Sequence, residues 1–263
     1  MPHLSAVQMV LAVLSGGVVG FTLGLIGGGG SILAVPLLLY LVGVHDPHVV
    51  IGSTALAVAV NAYLNLLPHW RQGHVRWKAA VAFAIPGAVG AYAGSVLGKL
   101  ANDKVLLFLF AILMLVIAAR MLRSRRNPEA SEAGRPVRMG RVIPTGLVTG
   151  GVSGFFGIGG GFLIVPGLMF SAGLPMTEAV GTSLFSVGTF GLTTAVSYAL
   201  SGMVDWLIVA LYIGGGLAGG ILGVYACTRL GRNVRRLQQL FAGVLVLVAC
   251  YMLYVNLKAL HLL

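Results

Sequence analysis

Long apolar runs, interrupted by short polar stretches, set the pattern of this chain. Crossing a bilayer as a helix takes about 20 apolar residues. Windows of that length cover 6–26, 49–68, 78–98, 104–122, 141–157, 178–200, 206–228 and 237–257. Two further apolar pieces, 31–44 and 161–174, are shorter. Fourteen helical residues reach only about 21 Å, so neither crosses unaided. Each follows a glycine cluster, as though an incoming helix breaks and the chain turns back. The pattern predicts an all-α polytopic membrane protein. The one polar stretch of any length, 124–140, separates a first transmembrane unit (1–123) from a second (141–263).

The two units match each other. Gly24-Leu-Ile-Gly-Gly-Gly-Gly-Ser-Ile-Leu-Ala-Val-Pro36 aligns without gaps with Gly154-Phe-Phe-Gly-Ile-Gly-Gly-Gly-Phe-Leu-Ile-Val-Pro166, sharing 7 of 13 residues. After a one-residue shift, Gly52-Ser53-Thr54 meets Gly181-Thr182-Ser183, and Gly73 and Trp77 meet Gly202 and Trp206. Gly90, Gly94 and Gly98 then correspond to Gly219, Gly223 and Cys227. Each half therefore reads as a broken hairpin, re-entrant or V-shaped, plus three transmembrane helices.

Charge orients the halves. The chain is 58% apolar and 9% charged, far below the charge of a soluble domain. Of its 17 Lys and Arg, 14 fall in three segments, around 71–78, 120–141 and 229–236. Basic clusters between apolar spans mark cytoplasmic loops, so the formal net charge of +11 is a topology code and not a nucleic-acid surface. The loop Arg71–Lys78 is basic, whereas its partner, Ser201–Asp205, carries one acid and no base. The loop Lys99–Lys104 is weakly charged, whereas its partner, Arg229–Arg236, holds four arginines. Equivalent loops thus fall on opposite sides of the membrane. The expectation is two inverted repeats joined by a cytoplasmic basic linker, with both termini non-cytoplasmic, as in many secondary transporters.

The glycine clusters carry the sharpest candidate chemistry. Irregular backbone at membrane depth is tolerated only where protein or a water-lined cavity satisfies it. After the clusters, short helices are expected to begin at Ser31 and Phe162. A helix N-terminus offers free N–H donors and partial positive charge, a ready anion site. Gly27, Gly28, Gly29, Gly30 and Ser31 in one half, with Gly157, Gly159, Gly160 and Gly161 in the other, are therefore the expected substrate-binding backbone. The spacing-of-four stripes at Gly90, Gly94 and Gly98 and at Gly215, Gly219 and Gly223 read instead as helix packing, within the chain or in a homodimer.

Polar side chains add a second tier. Thr54, Asn61 and Asn65 share one helical face, and Thr182, Ser186, Thr189, Thr193 and Ser197 share another, with Ser183 and Thr194 beside it. Of these, Thr54, Asn61, Asn65, Ser183 and Thr194 are placed near the anion, with Asn61 the leading side chain because an amide holds an anion weakly enough to release it. No carboxylate lies at membrane depth. His45, His48, His69 and His74 sit around span ends, where interfacial placement accounts for them; coupling protons through one of them is the alternative. Cys227 and Cys250 lie in apolar spans with no metal or disulfide spacing and are expected to be small buried hydrophobes. Neither a metal nor a cofactor is indicated, and no hydrolase, kinase or metalloprotease motif occurs, so the chain does not read as an enzyme.

The paired glycine motifs ending in Pro36 and Pro166, the Gly-Ser-Thr and Gly-Thr-Ser triplets and the Trp77/Trp206 positions resemble the sulfite exporter TauE/SafE family over nearly the whole chain. The resemblance implies an inverted-repeat secondary transporter of the inner membrane for sulfur-containing or organic anions, commonly in export. The resulting expectation is alternating access to a small sulfite- or sulfonate-like anion. The rival readings are an anion channel with the same pore and a non-transporting membrane scaffold.

Overall fold

The computed structural model describes residues 4–123, 139–229 and 234–259. The described residues contain ten helical segments and no strand. Helix α1 (Ala6–Ile26) opens with a capping box in which Ser5 and Gln8 satisfy each other's backbone N–H groups. The chain then reverses at Gly27. Segment α2 (27–42) is wound unevenly: a 3-10 helix over Gly27–Leu33, one α turn at Ala34–Pro36, and a π-helix over Leu37–Val42. Pro36 has no N–H for the α ladder, and the winding loosens directly after it. Gln8 Nε2 donates to the Val42 carbonyl at 3.1 Å, so α2 returns to the level at which α1 began.

Asp46 caps α3 (Pro47–Arg71), accepting from the His48 and Val49 N–H groups, with Pro47 at the first helical position. Then come α4 (Trp77–Leu100) and α5 (Asp103–Arg123). The second half repeats the order with α6 (Met139–Phe156), α7 (Gly161–Ser171), α8 (Met176–Ala199), α9 (Trp206–Arg229) and α10 (Val234–Ala259). Gly160 lies beside Ser153, Gly167 beside Thr145, and Arg141 over the Phe170 ring, so α7 folds back along α6 as α2 does along α1. Of the expected linker only Met139 and Gly140 are described, as the first residues of α6; the rest lies outside the described residues.

Five helical stretches among the described residues are long and apolar enough to cross a membrane: Ala6–Val42, Pro47–Arg71, Trp77–Leu100, Met176–Ala199 and Trp206–Ala226. The windows expected at 104–122, 141–157 and 237–257 fold as α5, α6 and α10. Helices α3 and α8 form the centre, with 72% of their spans buried against 44% for α4 and α9. They pack antiparallel, Gly52 meeting Met203 at one end and Gly181 meeting His74 at the other.

Around this pair, α1 runs parallel to α9 and α4 parallel to α6, both in backbone contact through small residues. Gly16, Gly20 and Gly24 face Tyr212, Gly216 and Gly220; Gly146, Gly150 and Gly154 face Phe83, Gly87 and Ala91. The stripes on α4 and α9 are therefore consumed inside the chain. Such close approach lets dispersion and Cα–H contacts hold helices where no hydrophobic force acts between them.

The pairings survive exchange of the halves. α1–α9 becomes α6–α4, while α3–α8, α2–α7 and α5–α10 map onto themselves. Single hydrogen bonds obey the same exchange. Ser53 Oγ accepts from the Asp205 N–H at 2.9 Å, and its counterpart, Thr182 Oγ1, accepts from the Arg76 N–H at 3.0 Å.

Two local expectations are corrected. The first short helix does not start afresh at Ser31, because the four glycines are themselves wound into a 3-10 helix; the second starts at Gly161, one residue early. Cys250 is exposed on α10, not buried.

Candidate functional site

The two hairpins meet where their glycines cross. Gly28 and Gly161 pack backbone against backbone so closely that neither has room for a Cβ. Gly27 rests on Val180 and Gly157 on Ile51, which are counterparts in the repeat. A Cβ on Gly159 would sit 3.1 Å from Val187 and 3.3 Å from Val58. The crossing is thus walled by one valine from each central helix. Every residue of both clusters, Gly27–Ser31 and Gly157–Gly161, is buried.

The polar groups at this crossing differ between the halves. On the first hairpin they are engaged: the Gly28 N–H donates to Ser183 Oγ at 3.4 Å, and Ser31 Oγ donates to the Gly28 carbonyl at 2.9 Å. Ser183 itself donates to the Val180 carbonyl. On the second hairpin the Ile158 N–H donates to the Ser153 carbonyl at 3.3 Å, and the N–H groups that follow at the start of α7 are open. Gly160 takes the left-handed conformation at the N-cap of α7 and supplies no side chain as a cap. Its carbonyl accepts from the Leu163 and Ile164 N–H groups. The N–H groups of Gly160, Gly161 and Phe162 precede the first turn and have no intrahelical acceptor. Ser153 of α6 points at the same place: a Cβ on Gly160 would lie 2.8 Å from Ser153 Oγ. That hydroxyl is fully buried and without a hydrogen-bond partner. Backbone donors, a helix N-terminus and an unused hydroxyl can together hold a dehydrated anion.

The remaining expected residues have other neighbours. Thr54 Oγ1 donates to its own helix, at Val50 and Ile51. Asn61 is fully buried with neither amide atom paired, and lies in the space a Cβ on Gly216 of α9 would fill. Asn65 donates to the Asn61 carbonyl at 2.9 Å and lies against Gly220. It also edges an apolar groove formed by Leu64, Pro68, Leu217, Ile221 and Val224. Thr194 is buried on α8 with an unpaired hydroxyl. The structure therefore gathers the glycines, Ser31 and Ser183, and sets Asn61 and Asn65 along the α3–α9 contact.

Ser153 is absent from the sequence expectation, although Thr145, Thr149 and Ser153 recur at spacings of four on α6. That spacing was the available signal; the repeat puts Leu23 at the position matching Ser153.

The family described as Sulfite exporter TauE/SafE matches residues 12–252. A protein of Xylella fastidiosa (strain 9a5c) named "Probable membrane transporter protein" is 47% identical over 249 residues, covering 94% of this chain and 95% of its own. The Bacillus subtilis protein named "Probable membrane transporter protein YunE" is 29% identical over 269 residues, covering 94% and 98%. One from Haemophilus influenzae with the same general name is 28% identical over 262 residues, covering 93% and 97%. No solved structure gives a significant match. The chain belongs to the sulfite exporter TauE/SafE family and is a multi-pass membrane protein.

Proposed function

We propose that this member of the TauE/SafE family is a secondary active transporter that moves a small sulfite- or sulfonate-like anion across the inner membrane by alternating access, in the direction of export. The observation that carries the reading is the open N-terminal turn of α7 with the unpaired Ser153 hydroxyl beside it. Among the described residues no lysine or arginine is buried. Backbone dipoles amount to about half a charge at a helix N-terminus. They hold a desolvated anion without the grip of a full ion pair, and a carrier must release its cargo.

Alternation has a physical basis in the paired turns. The turn between α3 and α4 docks on α8 through Thr182, and the turn between α8 and α9 docks on α3 through Ser53. Both are docked here. Opening one while the other stays shut would expose the hairpin crossing to one side at a time. Because α3 and α8 are exchanged by the internal symmetry yet run antiparallel, the axis relating the halves crosses them. That supports inverted repeats, and the distribution of arginines supports non-cytoplasmic termini.

The decisive experiment is counterflow in proteoliposomes with sulfite, sulfate, methanesulfonate, sulfoacetate and acetate. Exchange of a labelled sulfur oxyanion, accelerated by unlabelled anion on the far side, is the expected result. Conductance far above carrier turnover without counterflow would replace the carrier by a channel, and absence of any flux would leave a scaffold.

A further inference from the structure

The transporter reading leaves the driving ion open, and the face of α3 beyond the hairpins points to one. Asn61, Asn65 and His69 stand at spacings of four, one turn above another on one face. All three are buried, and His69 is 4% exposed. Among the described residues it is the one buried side chain of the Asp, Glu, His, Lys and Arg types. Neither ring nitrogen completes a hydrogen bond, although the Gly24 carbonyl lies beside the ring.

A buried imidazole with donor and acceptor both unmade carries a desolvation cost, and such an unsatisfied buried group calls for a functional explanation. A route outward also exists. His74, in the turn after α3, has its ring centroid 6.3 Å from that of His69 and is only half-buried.

Few charged or titratable groups lie on the elements packed around His69. On its own helix the nearest charge is Arg71. From the turn it faces His74; from α4 and α8 come Arg76 and Glu178, which are paired with each other at 2.6 Å. Helix α1 and segment α2 carry no charged residue, and α9 carries none before Arg229, whose side chain lies outside the described residues. The repeat supplies a contrast. The counterparts of Asn61, Asn65 and His69 are Phe190, Thr194 and Tyr198, with Phe190 stacked on Phe83 at 6.2 Å. One half carries an amide–imidazole row, and the other an aromatic one.

We propose that His69 is the proton-carrying residue of the transport cycle, with His74 its connection to water. The unprotonated ring nitrogen of His69 takes a proton to give imidazolium, the added positive charge favours binding of an anion, and loss of the proton favours its release. By linkage, the anion must raise the proton affinity by the same factor.

The proposal rests on the transporter reading, and the test separates the two. Methanesulfonate and sulfate are strong-acid anions that carry no proton of their own near neutrality, so proton movement with them belongs to the protein. In proteoliposomes the wild-type chain should show counterflow at equal pH and, with one proton per monovalent anion, about tenfold accumulation of methanesulfonate per pH unit of gradient. His69→Gln should keep counterflow within about threefold of wild type yet accumulate nothing. Tyr198→Phe, the counterpart position, should keep both.

Unchanged gradient-driven accumulation in His69→Gln would overturn the proposal. So would wild-type methanesulfonate flux that moves no protons, read with a trapped pH dye; this decides the matter even if His69→Gln fails to fold. Exchange of no sulfur oxyanion by the wild-type chain, sulfite included, would instead sink the transporter reading.

Discussion

The two hairpins descend from one motif, share seven of thirteen residues, and have taken different forms. In the first, the glycines are wound into a continuous 3-10 helix, and the one N–H that meets the other half is occupied by Ser183. In the second, Gly157, Gly159 and Gly160 all have positive φ, the chain makes an open turn, and a regular α-helix starts beneath it. Among the differences between them, Gly28 faces Ile158 in the alignment, Ser31 faces Gly161, and Leu23 faces Ser153. The ladders beside the hairpins diverge the opposite way, the polar one lying in the first half. On the functions proposed above, duplication allowed anion binding and proton carriage to settle in different halves while the frame stayed symmetric.

The largest effect should come from the contact that joins the hairpins. A methyl group on Gly161 would fall on the backbone of Gly28, and one on Gly28 on the backbone of Gly161 and on Val187. Backbone cannot rotate out of the way, so Gly28→Ala and Gly161→Ala should each reduce anion flux to background and lower the thermal midpoint, consistent with overpacking costs of about 1–3 kcal/mol or more. Gly29→Ala tests whether this is position or merely composition. Its new Cβ would meet only Ile26, at 3.4 Å, so flux within about twofold of wild type is expected. Equal loss at all three positions would mean that the cluster acts through flexibility and not through the crossing.

Next in size is the hydroxyl that distinguishes the second hairpin. Ser153→Ala removes a donor with no partner in the protein, so folding should be untouched, but the bound anion loses a charge-assisted hydrogen bond worth about 1.5 kcal/mol. The half-saturating anion concentration should rise roughly tenfold. Ser31→Ala, on the first hairpin, removes a hydroxyl already bonded to Gly28 and should move the same quantity less than twofold. A reversed order would place the anion on the first hairpin.

Much of this frame was legible in the sequence because membrane burial and duplication leave strong marks. The eight windows, the hairpins and the matched triplets all rest on apolar length or on alignment of the halves. Local winding was not legible: Gly27–Leu33 and Leu37–Val42 depart from α geometry through packing on α1 and α7 and through Pro36, and no periodicity announces it. The partners of the small-residue stripes were within reach, since Gly16, Gly20 and Gly24 repeat the spacing of four and align with Gly146, Gly150 and Gly154. The role of Asn61 was harder. A polar face on a helix does not reveal whether it meets the hairpins or the glycines of α9. Only the register of α3 against α9 puts its amide on Gly216.

The turns at the two ends give the smallest effects and the closest test of their equivalence. Each docks by a backbone N–H on a buried hydroxyl, Thr182 at one end and Ser53 at the other. The first adds a two-pronged ion pair, Arg76 Nε and Nη2 to Glu178 at 2.7 and 2.6 Å. The hydrogen bonds and charge of Glu178 hold the Arg76 guanidinium above its ordinary pKa, but arginine is charged throughout the working range, so no pH dependence follows. The Arg76 side chain is 60% exposed, and solvent screens such a pair heavily. Thr182→Val and Ser53→Ala should each cost about 1 kcal/mol. Glu178→Gln should leave the thermal midpoint nearly unchanged, with any residual difference vanishing in high salt. If Glu178→Gln instead costs more than Thr182→Val, the first turn is held by charge. Alternation would then begin from unequal latches.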